Sequence, residues 1–374
     1  MIYRELGTTG MRVSPLGFGC MRLPMREVNG SECVDDDLAG PLLRRAVELG
    51  INFFDTHWFY NNYDSQRALG AALGSLRDKV FLSSKIHLML VKRGEDYDDI
   101  LSRALEKMQL EYLDCYHFPA LSYNTWREKV LGLKLLDRAE RAKARGLIRH
   151  ISFSFHSDPE KIPELIDTGV FSTMLGQYNL VDRRNEEAFA YAKSKGVGTM
   201  VMGPLMGGVL TDGGQTFLDR MGSPLTSAAE LGLRFVWSNP NIDLVLSGMS
   251  CLQQLEENVI FANRAADLTL NDHQALVEKS QALKDLNDLY CTSCNYCAVC
   301  PQNIRIGRIF QLYLQHSVWG LGEAVARRRG EDGAFGLPAT PEACTECGLC
   351  STRCPQGINI PEELKRVWPV LQYL

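Results

Sequence analysis

The cysteines near the end of the chain have the spacing that most directly indicates chemistry. Eight of the twelve fall after residue 290, in two runs: Cys291, Cys294, Cys297 and Cys300 before Pro301, and Cys344, Cys347, Cys350 and Cys354 before Pro355. Three thiolates at two-residue intervals wrap one face of an iron-sulfur cubane, and a distant Cys-Pro completes the fourth corner. The runs therefore predict single-electron transfer.

The second run resembles bacterial ferredoxins in its spacing, whereas in the first run only two residues separate Cys297 from Cys300. In two-cluster ferredoxins the last cysteine of each run binds the other cluster. The resemblance implies at least one and more readily two 4Fe-4S clusters, one on Cys291, Cys294, Cys297 and Cys354, the other on Cys344, Cys347, Cys350 and Cys300. The alternative is a pair of structural zinc sites, which leaves the third cysteine and the Cys-Pro of each run unexplained.

A second group of polar residues follows apolar segments in the first third of the chain. Asp55 follows Asn52-Phe53-Phe54, Tyr60 lies just beyond it, Lys85 ends another apolar segment, and His117 lies in a third. A buried lysine beside an aspartate lowers the pKa of a neighbouring tyrosine and makes it a proton donor near neutral pH. Each residue alone fits a capping or packing role, but together at neighbouring strand ends they predict an active site.

These residues sit in a regular alternation of short apolar segments and amphipathic segments between residues 16 and 262. The strand candidates are Leu16 to Met21, Asn52 to Thr56, Phe81 to Lys85, Asp114 to Phe118, His150 to Ser154, Met174 to Gln177, Thr199 to Gly203 and Asp243 to Ser247. Eight strand-helix units predict an α/β fold, a closed (β/α)8 TIM barrel with its active site at the carboxyl ends of the strands. Thr8-Thr9-Gly10 predicts a hairpin turn that caps the opposite end.

The remainder of the chain predicts a small α-helical, ferredoxin-like iron-sulfur domain. Helices are expected over Leu270 to Leu289 and Ile304 to Gln315, with charged connector at residues 327–331 and 333–341. We therefore divide the chain into a barrel at residues 1–270 and a cysteine domain at residues 271–374. Because the cysteine domain is short and rich in loops, it buries little hydrophobic core of its own. Its iron-sulfur clusters are therefore expected to hold it together.

Composition limits the partners. The chain has 374 residues, 45% hydrophobic residues and a net charge of −5, which offers no general field for nucleic acid or an anionic membrane. No run of 18 apolar residues is present. The first residues do not resemble a signal peptide, so a cytoplasmic location without disulfides is expected.

The chain is similar to aldo-keto reductases, and specifically to the branch with a C-terminal ferredoxin-like domain. The matching motifs are Ser14 to Gly19, Phe54-Asp55-Thr56 with Tyr60, Ser84-Lys85, Ile151 to Ser154, Gln177 to Leu180, Gly203-Pro204-Leu205, Gly248-Met249-Ser250, Glu257-Asn258 and both cysteine runs. The resemblance implies a barrel that binds an extended nicotinamide dinucleotide without a Rossmann fold. Consistently, Gly17-x-Gly19 lacks the third glycine of the dinucleotide fingerprint.

The resemblance also implies roles for individual residues. Tyr60 protonates a substrate carbonyl while hydride reaches its carbon, and Lys85 and Asp55 set the acidity of the tyrosine. Ser154 and Gln177 bind the nicotinamide amide. The other implied nucleotide contacts are Met202, Gly203, Leu205, Ser247, Gly248, Ser250, Gln254, Glu257 and Asn258.

Three departures from the family pattern bear on the reaction. Pro119 stands where the family has a histidine that polarises the substrate oxygen, and His117 and His57 are both candidates to replace it. Met202 stands where many relatives stack an aromatic ring on the nicotinamide. Residues 247–263 contain no Lys or Arg for a ribose phosphate, so NADP and NAD both remain open, as does the absence of a tightly held nicotinamide.

The predicted function is an oxidoreductase that reduces a carbonyl or an activated double bond of a small molecule and relays electrons through its clusters. Aromatic residues cluster in sequence near the expected site mouth, and either line an apolar or aromatic substrate pocket or serve ordinary packing: Trp58, Phe59, Tyr63, Phe118, Tyr123 and Trp126. The alternatives are a non-catalytic electron-transfer subunit and a plain NAD(P)H carbonyl reductase with a structural or redox-sensing clamp. A ferredoxin or a flavoprotein is the candidate redox partner, and the oligomeric state is not predicted.

Overall fold

A computed structural model describes residues 1–156, 159–265, 270–286, 289–323, 325–327 and 335–374. The chain divides into two compact units. The first comprises Met1–Tyr178, Arg183–Pro204 and Val236–Leu270, and the second comprises Asn179–Asp182, Leu205–Phe235 and Asn271–Leu374.

The first unit is built around a closed barrel of eight strands, numbered β1 to β8 here. They are Leu16–Gly19, Phe53–Asp55, Phe81–Lys85, Leu113–Leu121, Ile148–Phe155, Thr173–Gln177, Gly198–Met202 and Leu244–Ser247. Each strand pairs in parallel with the next along the chain, and β8 closes onto β1. The predicted TIM barrel is confirmed, and each predicted strand lies within about two or three residues of its observed position.

Helices follow the strands and pack around the barrel as parallel strands require. The helices of the first unit are Asp36–Glu48, Tyr60–Tyr63, Ser65–Leu73, Asp96–Met108, Tyr123–Thr125, Leu135–Ala144, Ile162–Ile166, Glu186–Ser194 and Leu252–Asn263, with a π-helical turn at Trp126–Leu131. The helical segment between Trp126 and Ala144 is interrupted at Lys134, which has a left-handed φ of 54°.

The N-terminal hairpin closes the amino-terminal end of the barrel, as predicted. Its strands, Arg4–Glu5 and Arg12–Val13, pair antiparallel, and Leu6, Met11 and Val13 join a buried cluster with side chains of the barrel strands. A second hairpin, Met25–Val28 with Ser31–Val34, turns at Asn29-Gly30. The sequence analysis did not predict it, although Asn-Gly is a strong hairpin signal.

The second unit is helical. Its helices are Val209–Asp212, Gly214–Arg220, Ala228–Ser238, which runs on into the first unit, Leu270–Leu286, Ile306–Ser317, Leu349–Arg353 and Ile360–Gln372. The predicted helices that begin near residues 270 and 304 are confirmed. Residues 287–288 of the first predicted helix, and residues 328–331 and 333–334 of the predicted connector, lie outside the described residues. Among the described residues no helix is long and apolar enough to cross a membrane.

Polar contacts hold the segment after β7 against the helices of the second unit. The Asp212 carboxylate accepts hydrogen bonds of 3.0 Å from the side-chain amides of Gln311 and Gln315. The indole of Trp319 donates to the Val209 carbonyl at 2.9 Å. The segment at residues 205–235 therefore belongs structurally with residues 271–374, although it lies between two barrel strands in sequence.

Candidate active site and iron-sulfur ligands

A buried ion pair lies at the carboxyl ends of β2 and β3. Asp55 is opposite Ser83 in the register of these parallel strands, which places Lys85 beside the same carboxylate. The Lys85 ammonium donates to Asp55 Oδ2 and, at 2.9 Å, to the Thr56 carbonyl. The Ser83 hydroxyl donates to Asp55 Oδ1, so both carboxylate oxygens are engaged. Burial lowers the pKa of Lys85, and the attraction of Asp55 opposes that shift.

Tyr60 lies beside this pair on the turn that follows β2. Lys85 Nζ is 5.2 Å from the centroid of its half-buried ring. Asn61 and Asn62 have left-handed φ values of 54° and 52°, a conformation that asparagine tolerates better than most residues. The Asn61 amide donates to the Leu23 carbonyl at 3.2 Å, which holds the turn. The structure thus brings Asp55, Tyr60 and Lys85 together.

The two candidate histidines lie on different sides of this group. His117 Nε2 is 3.4 Å from Ser83 Oγ and 4.0 Å from Asp55 Oδ1, inside the barrel. The His57 ring is 5.3 Å from that of Tyr60, centroid to centroid, and its Nδ1 accepts from the Phe59 amide at 3.3 Å. Burial lowers the pKa of both imidazoles, to about 3 for His117 and well below the usual range for His57.

Pro119 distorts β4 where the family histidine would lie. The pairing of β4 with β5 shifts register between Phe118 and Leu121, and Ala120 adopts a left-handed φ of 48°. The Ala120 amide donates to Ser154 Oγ at 2.9 Å instead of to the neighbouring strand. Because proline has no N–H to donate to the ladder, the bulge at this position has a local cause.

His156 is a third candidate to replace the histidine that polarises the substrate oxygen, and it is not among the residues predicted from the sequence. It directly follows β5, and its backbone amide donates to the Leu121 carbonyl at 3.1 Å. Burial, then the positive charges of Lys85 and Arg184, lowers its pKa to about 4. Its position two residues after Ser154 is the sequence signal that could have identified it.

Four of the residues implied for the nicotinamide end, Ser154, Gln177, Met202 and Gly203, belong to the first unit. Ser154 and Gln177 are buried at the ends of β5 and β6, and the Asn185 amide donates to the Gln177 carbonyl at 2.9 Å. Gly203 has a left-handed φ of 63°, and a Cβ there would lie 3.0 Å from Gln177 Nε2. Met202, which ends β7, is half-buried. Leu205 belongs to the second unit.

The residues implied for the phosphate and adenosine end surround the start of the helix Leu252–Asn263. Asn258 Nδ2 donates to Ser247 Oγ at 3.3 Å, and Gln254 Oε1 accepts from the Ser250 amide at 2.8 Å. Glu257 Oε1 accepts from Gln253 Nε2 at 2.9 Å. The helix has no side-chain cap and no acidic residue in its first turn, which suits a phosphate.

Arg22, which the sequence analysis did not identify, lies beside this loop. A Cβ on Gly248 would be 2.7 Å from Arg22 Cγ, so glycine is required for this close approach. Arg22 follows β1, and β1 pairs with β8 across the barrel closure. A basic side chain therefore lies next to residues 247–263, a segment that itself contains no Lys or Arg.

The six aromatic residues predicted near the site mouth separate into two groups. Phe118 and Trp126 are 1% exposed and pack on Phe171 in the core, so the expectation that they line a pocket is wrong. Trp58 and Phe59 are half-buried, and their ring centroids lie 6.3 and 4.2 Å from that of His87. The ring centroid of Tyr63 lies 6.1 Å from that of Phe59. Tyr123 is half-buried and lies under the Lys161 ammonium at 5.6 Å.

The cysteines fall into two sets. The first set consists of Cys291, Cys294, Cys297 and Cys354. Burial, and then the neighbouring thiols Cys294 and Cys354, raises the pKa of Cys291 to about 12. Cys297 lies near Cys291, Cys294 and Cys354. The second set consists of Cys300, Cys344, Cys347 and Cys350, which line one small pocket. The other lining residues are Pro301, Gln302, Ile304, Ile306, Thr345, Gly348, Pro361 and Leu364. The last cysteine of each run thus lies with the first three of the other run.

The donor chemistry of both sets fits iron-sulfur clusters. Each set supplies four thiols, and Cys291 and Cys350 are buried. Among the described residues no three His, Cys, Asp or Glu side chains converge on a point where they could hold a single metal ion. A cubane instead binds one thiolate at each of four irons, so its ligands surround a larger body.

Comparisons with known proteins agree with this architecture. The aldo/keto reductase family profile matches residues 15–281, and a 4Fe-4S dicluster domain profile matches residues 290–360. L-galactose dehydrogenase of Arabidopsis thaliana is 29% identical in an alignment of 317 positions, and the match covers 76% of this chain and 95% of that protein. The uncharacterized oxidoreductase YqkF of Bacillus subtilis is 25% identical over 73% of this chain and 94% of its own length. The holo structure of aldo-keto reductase AKR11C1 from Bacillus halodurans has a TM-score of 0.64 and 26% identity, and covers 75% of this chain and 97% of that one.

The closed parallel barrel with a polar site at its strand ends defines a TIM-barrel enzyme. The chain belongs to the aldo/keto reductase family and carries a C-terminal 4Fe-4S dicluster domain. It is an oxidoreductase, as predicted.

Proposed function

We propose that the chain reduces a carbonyl group, or an activated double bond, of a small molecule, with Tyr60 as the proton donor. The observation that carries this proposal is the buried Lys85–Asp55 pair with Lys85 Nζ 5.2 Å from the Tyr60 ring centroid. A cation held this close favours the phenolate, and so makes the phenol a better acid. The carboxylate keeps the ammonium in place.

A reduced nicotinamide, when bound, supplies the hydride. Ser154 Oγ already accepts a hydrogen bond from Ala120, so its own proton is available for the nicotinamide amide. Gln177, Met202 and Gly203 complete the ring site, and the loop from Ser247 to Asn258 holds the phosphates and adenosine. Arg22 adds the positive charge that this loop lacks, which makes a phosphorylated ribose or the pyrophosphate acceptable there.

The electron balance of carbonyl reduction is simple. Two electrons and one proton arrive at the carbon as hydride, and Tyr60 gives its proton to the oxygen, so an alcohol forms and the nicotinamide is oxidised. For an activated double bond, the hydride adds to the distal carbon and Tyr60 protonates the enolate that results. The half-buried rings of Trp58 and Phe59 favour an apolar or aromatic substrate.

The cysteine sets support a second part of the proposal, in which two 4Fe-4S clusters transfer single electrons. The barrel at residues 1–270 would carry the hydride chemistry, and residues 271–374 would exchange electrons with a ferredoxin or a flavoprotein. Clusters, when present, supply one-electron steps that neither Tyr60 nor a nicotinamide provides.

The test is a substitution at Tyr60 in anaerobically purified full-length protein. We expect Tyr60→Phe to lower turnover of 4-nitrobenzaldehyde, a probe carbonyl, by about 100-fold or more, because general acid catalysis contributes roughly 10²–10⁴-fold. Binding of NADH and NADPH, followed by fluorescence, should be unchanged. Turnover as fast as in the unsubstituted protein would refute the proposal.

A further inference from the structure

The reaction proposed above needs a second group on the substrate oxygen, and Pro119 cannot be that group. A developing oxyanion is stabilised by a hydrogen-bond donor in addition to the proton that it receives. His57 and His117 are the two candidates of the sequence analysis, and both are buried near the Lys85–Asp55 pair. Their hydrogen bonds distinguish them.

We propose that His57 takes the place of the missing family histidine and donates from its Nε2–H to the substrate oxygen. The inference rests on the proposed function of Tyr60. His117 is instead a positioning residue for Asp55.

The hydrogen bond of His57 Nδ1 fixes the tautomer. Nδ1 lies 3.3 Å from the Phe59 amide nitrogen, which can only donate, so Nδ1 accepts and carries no proton. A neutral imidazole must then carry its proton on Nε2. The side chain is 4% exposed, and burial keeps it uncharged. His57 is therefore a neutral donor near the proton-donating tyrosine.

The proton on Nε2 has no acceptor within the described residues. A buried donor without a partner is unusual, because leaving it unpaired costs roughly 1–3 kcal/mol. The ring is 5.3 Å from that of Tyr60 and 4.5 Å from that of Phe59. An oxygen atom that receives the Tyr60 proton would give Nε2–H the acceptor that it lacks.

His117 faces the other side of the ion pair. Its Nε2 lies 3.4 Å from the hydroxyl of Ser83, which in turn donates to Asp55. His117 is 1% exposed and is paired in register with Lys85 on β3 and Ser152 on β5. Strands on both sides enclose it, so it supports the carboxylate through Ser83.

The first experiment reads the tautomer directly. Anaerobic protein labelled with 15N-histidine is compared with the His57→Gln variant, which assigns the His57 signals. We expect the Nε2 of His57 to have the shift of a protonated nitrogen and Nδ1 that of an unprotonated one at pH 7. The opposite assignment, or a doubly protonated ring, would overturn the inference whether or not the enzyme turns over.

The second experiment compares kinetics with 4-nitrobenzaldehyde. We expect His57→Ala to lower kcat by about 100- to 1,000-fold, the usual effect of removing one oxyanion donor, and His57→Gln to recover part of it because its amide can donate. His150→Gln is the control, since His150 lies at the amino-terminal end of β5, and it should stay within about threefold. Nicotinamide affinity serves as the check that each variant is folded.

The outcomes separate the two proposals. If Tyr60→Phe is inactive while His57→Ala stays within threefold of the unsubstituted protein, the role of His57 is refuted and that of Tyr60 stands. If Tyr60→Phe is fully active, the proposed function fails, and the NMR measurement still decides whether His57 presents a donor.

Discussion

Lys85 Nζ lies 5.2 Å from the centroid of the Tyr60 ring. Lys85 is the last residue of β3 and Tyr60 follows β2, so adjacent parallel strands bring them to the same end of the barrel. The contact places a buried cation where it acts on a phenol, and substitution of Lys85 tests its effect on the acidity of Tyr60.

Replacing Lys85 by methionine should reduce kcat for 4-nitrobenzaldehyde by about 100- to 10,000-fold, because the phenol loses the cation that favours its ionised form. Affinity for NADH or NADPH should change little. The control is Lys195→Met, which removes an exposed pair with Asp167, at 3.4 Å, and a surface contact with the Tyr191 ring, and should leave kcat unchanged. Equal kcat values for the two variants would argue against a role for Lys85.

His117 should remain uncharged down to about pH 4, because burial lowers its pKa to about 3. Unfolded histidine titrates near pH 6.5, so between about pH 3 and pH 6.5 the unfolded chain binds more protons than the folded one. The contribution of this residue to stability is therefore complete above pH 6.5 and is lost as the pH falls, by at most ~1.4 kcal/mol per pH unit.

Two measurements check this expectation. A 15N NMR titration should show no protonation of His117 between pH 7 and pH 5. The fall of the thermal denaturation midpoint over that range should be smaller in His117→Gln than in the unsubstituted protein. A His117 signal that titrates near pH 6 would contradict the buried environment.

Replacing Arg22 by alanine should weaken nicotinamide dinucleotide binding roughly 10- to 150-fold, since a hydrogen bond to a charged group contributes about 1.5–3 kcal/mol. The loss should be smaller in high salt, where charge interactions are screened. Arg26→Ala is the matched control: it lies four residues away and pairs with Asp37 at 2.9 Å on the surface. Fluorescence titration gives both Kd values, and an unchanged Kd in Arg22→Ala would exclude contact with the dinucleotide.

The cysteine sets predict which substitutions remove the same cluster. Cys354→Ala and Cys294→Ala should each lower iron from about eight to about four per chain, and the double variant should lose no more. Cys354→Ala with Cys350→Ala should lose nearly all of the iron. Cys251→Ser, at an exposed cysteine outside both runs, is the control. If the Cys354→Ala, Cys294→Ala double variant loses as much iron as the two single variants together, the two cysteines bind different clusters. The last cysteine of each run would then not bind the cluster of the other run.

The barrel could be predicted because its signal is local and repeated. Each strand is a short, mostly apolar segment, and eight such segments alternating with helices allow few other folds. Asp55, Tyr60 and Lys85 could be chosen because they lie at or just after the ends of such segments. The interruption at Lys134 could not be predicted, because the amphipathic pattern continues through it.

Other site residues depend on contacts between distant parts of the chain. Arg22 and Gly248 are far apart in sequence and meet only because β8 closes onto β1. Neither residue indicates the other. Similarly, the choice between His57 and His117 depends on their hydrogen-bond partners, Phe59 and Ser83, and no spacing rule contains that information.

The distortion at Pro119 limits how this enzyme can change. A histidine introduced there would enter a strand whose pairing is already displaced and whose next residue, Ala120, bonds to Ser154. A histidine at position 119 would therefore reach the site only if the pairing of this strand with β5 were also rebuilt, which requires further replacements around it. A single exchange of Pro119 is not enough to convert this site to the arrangement with a histidine at that position.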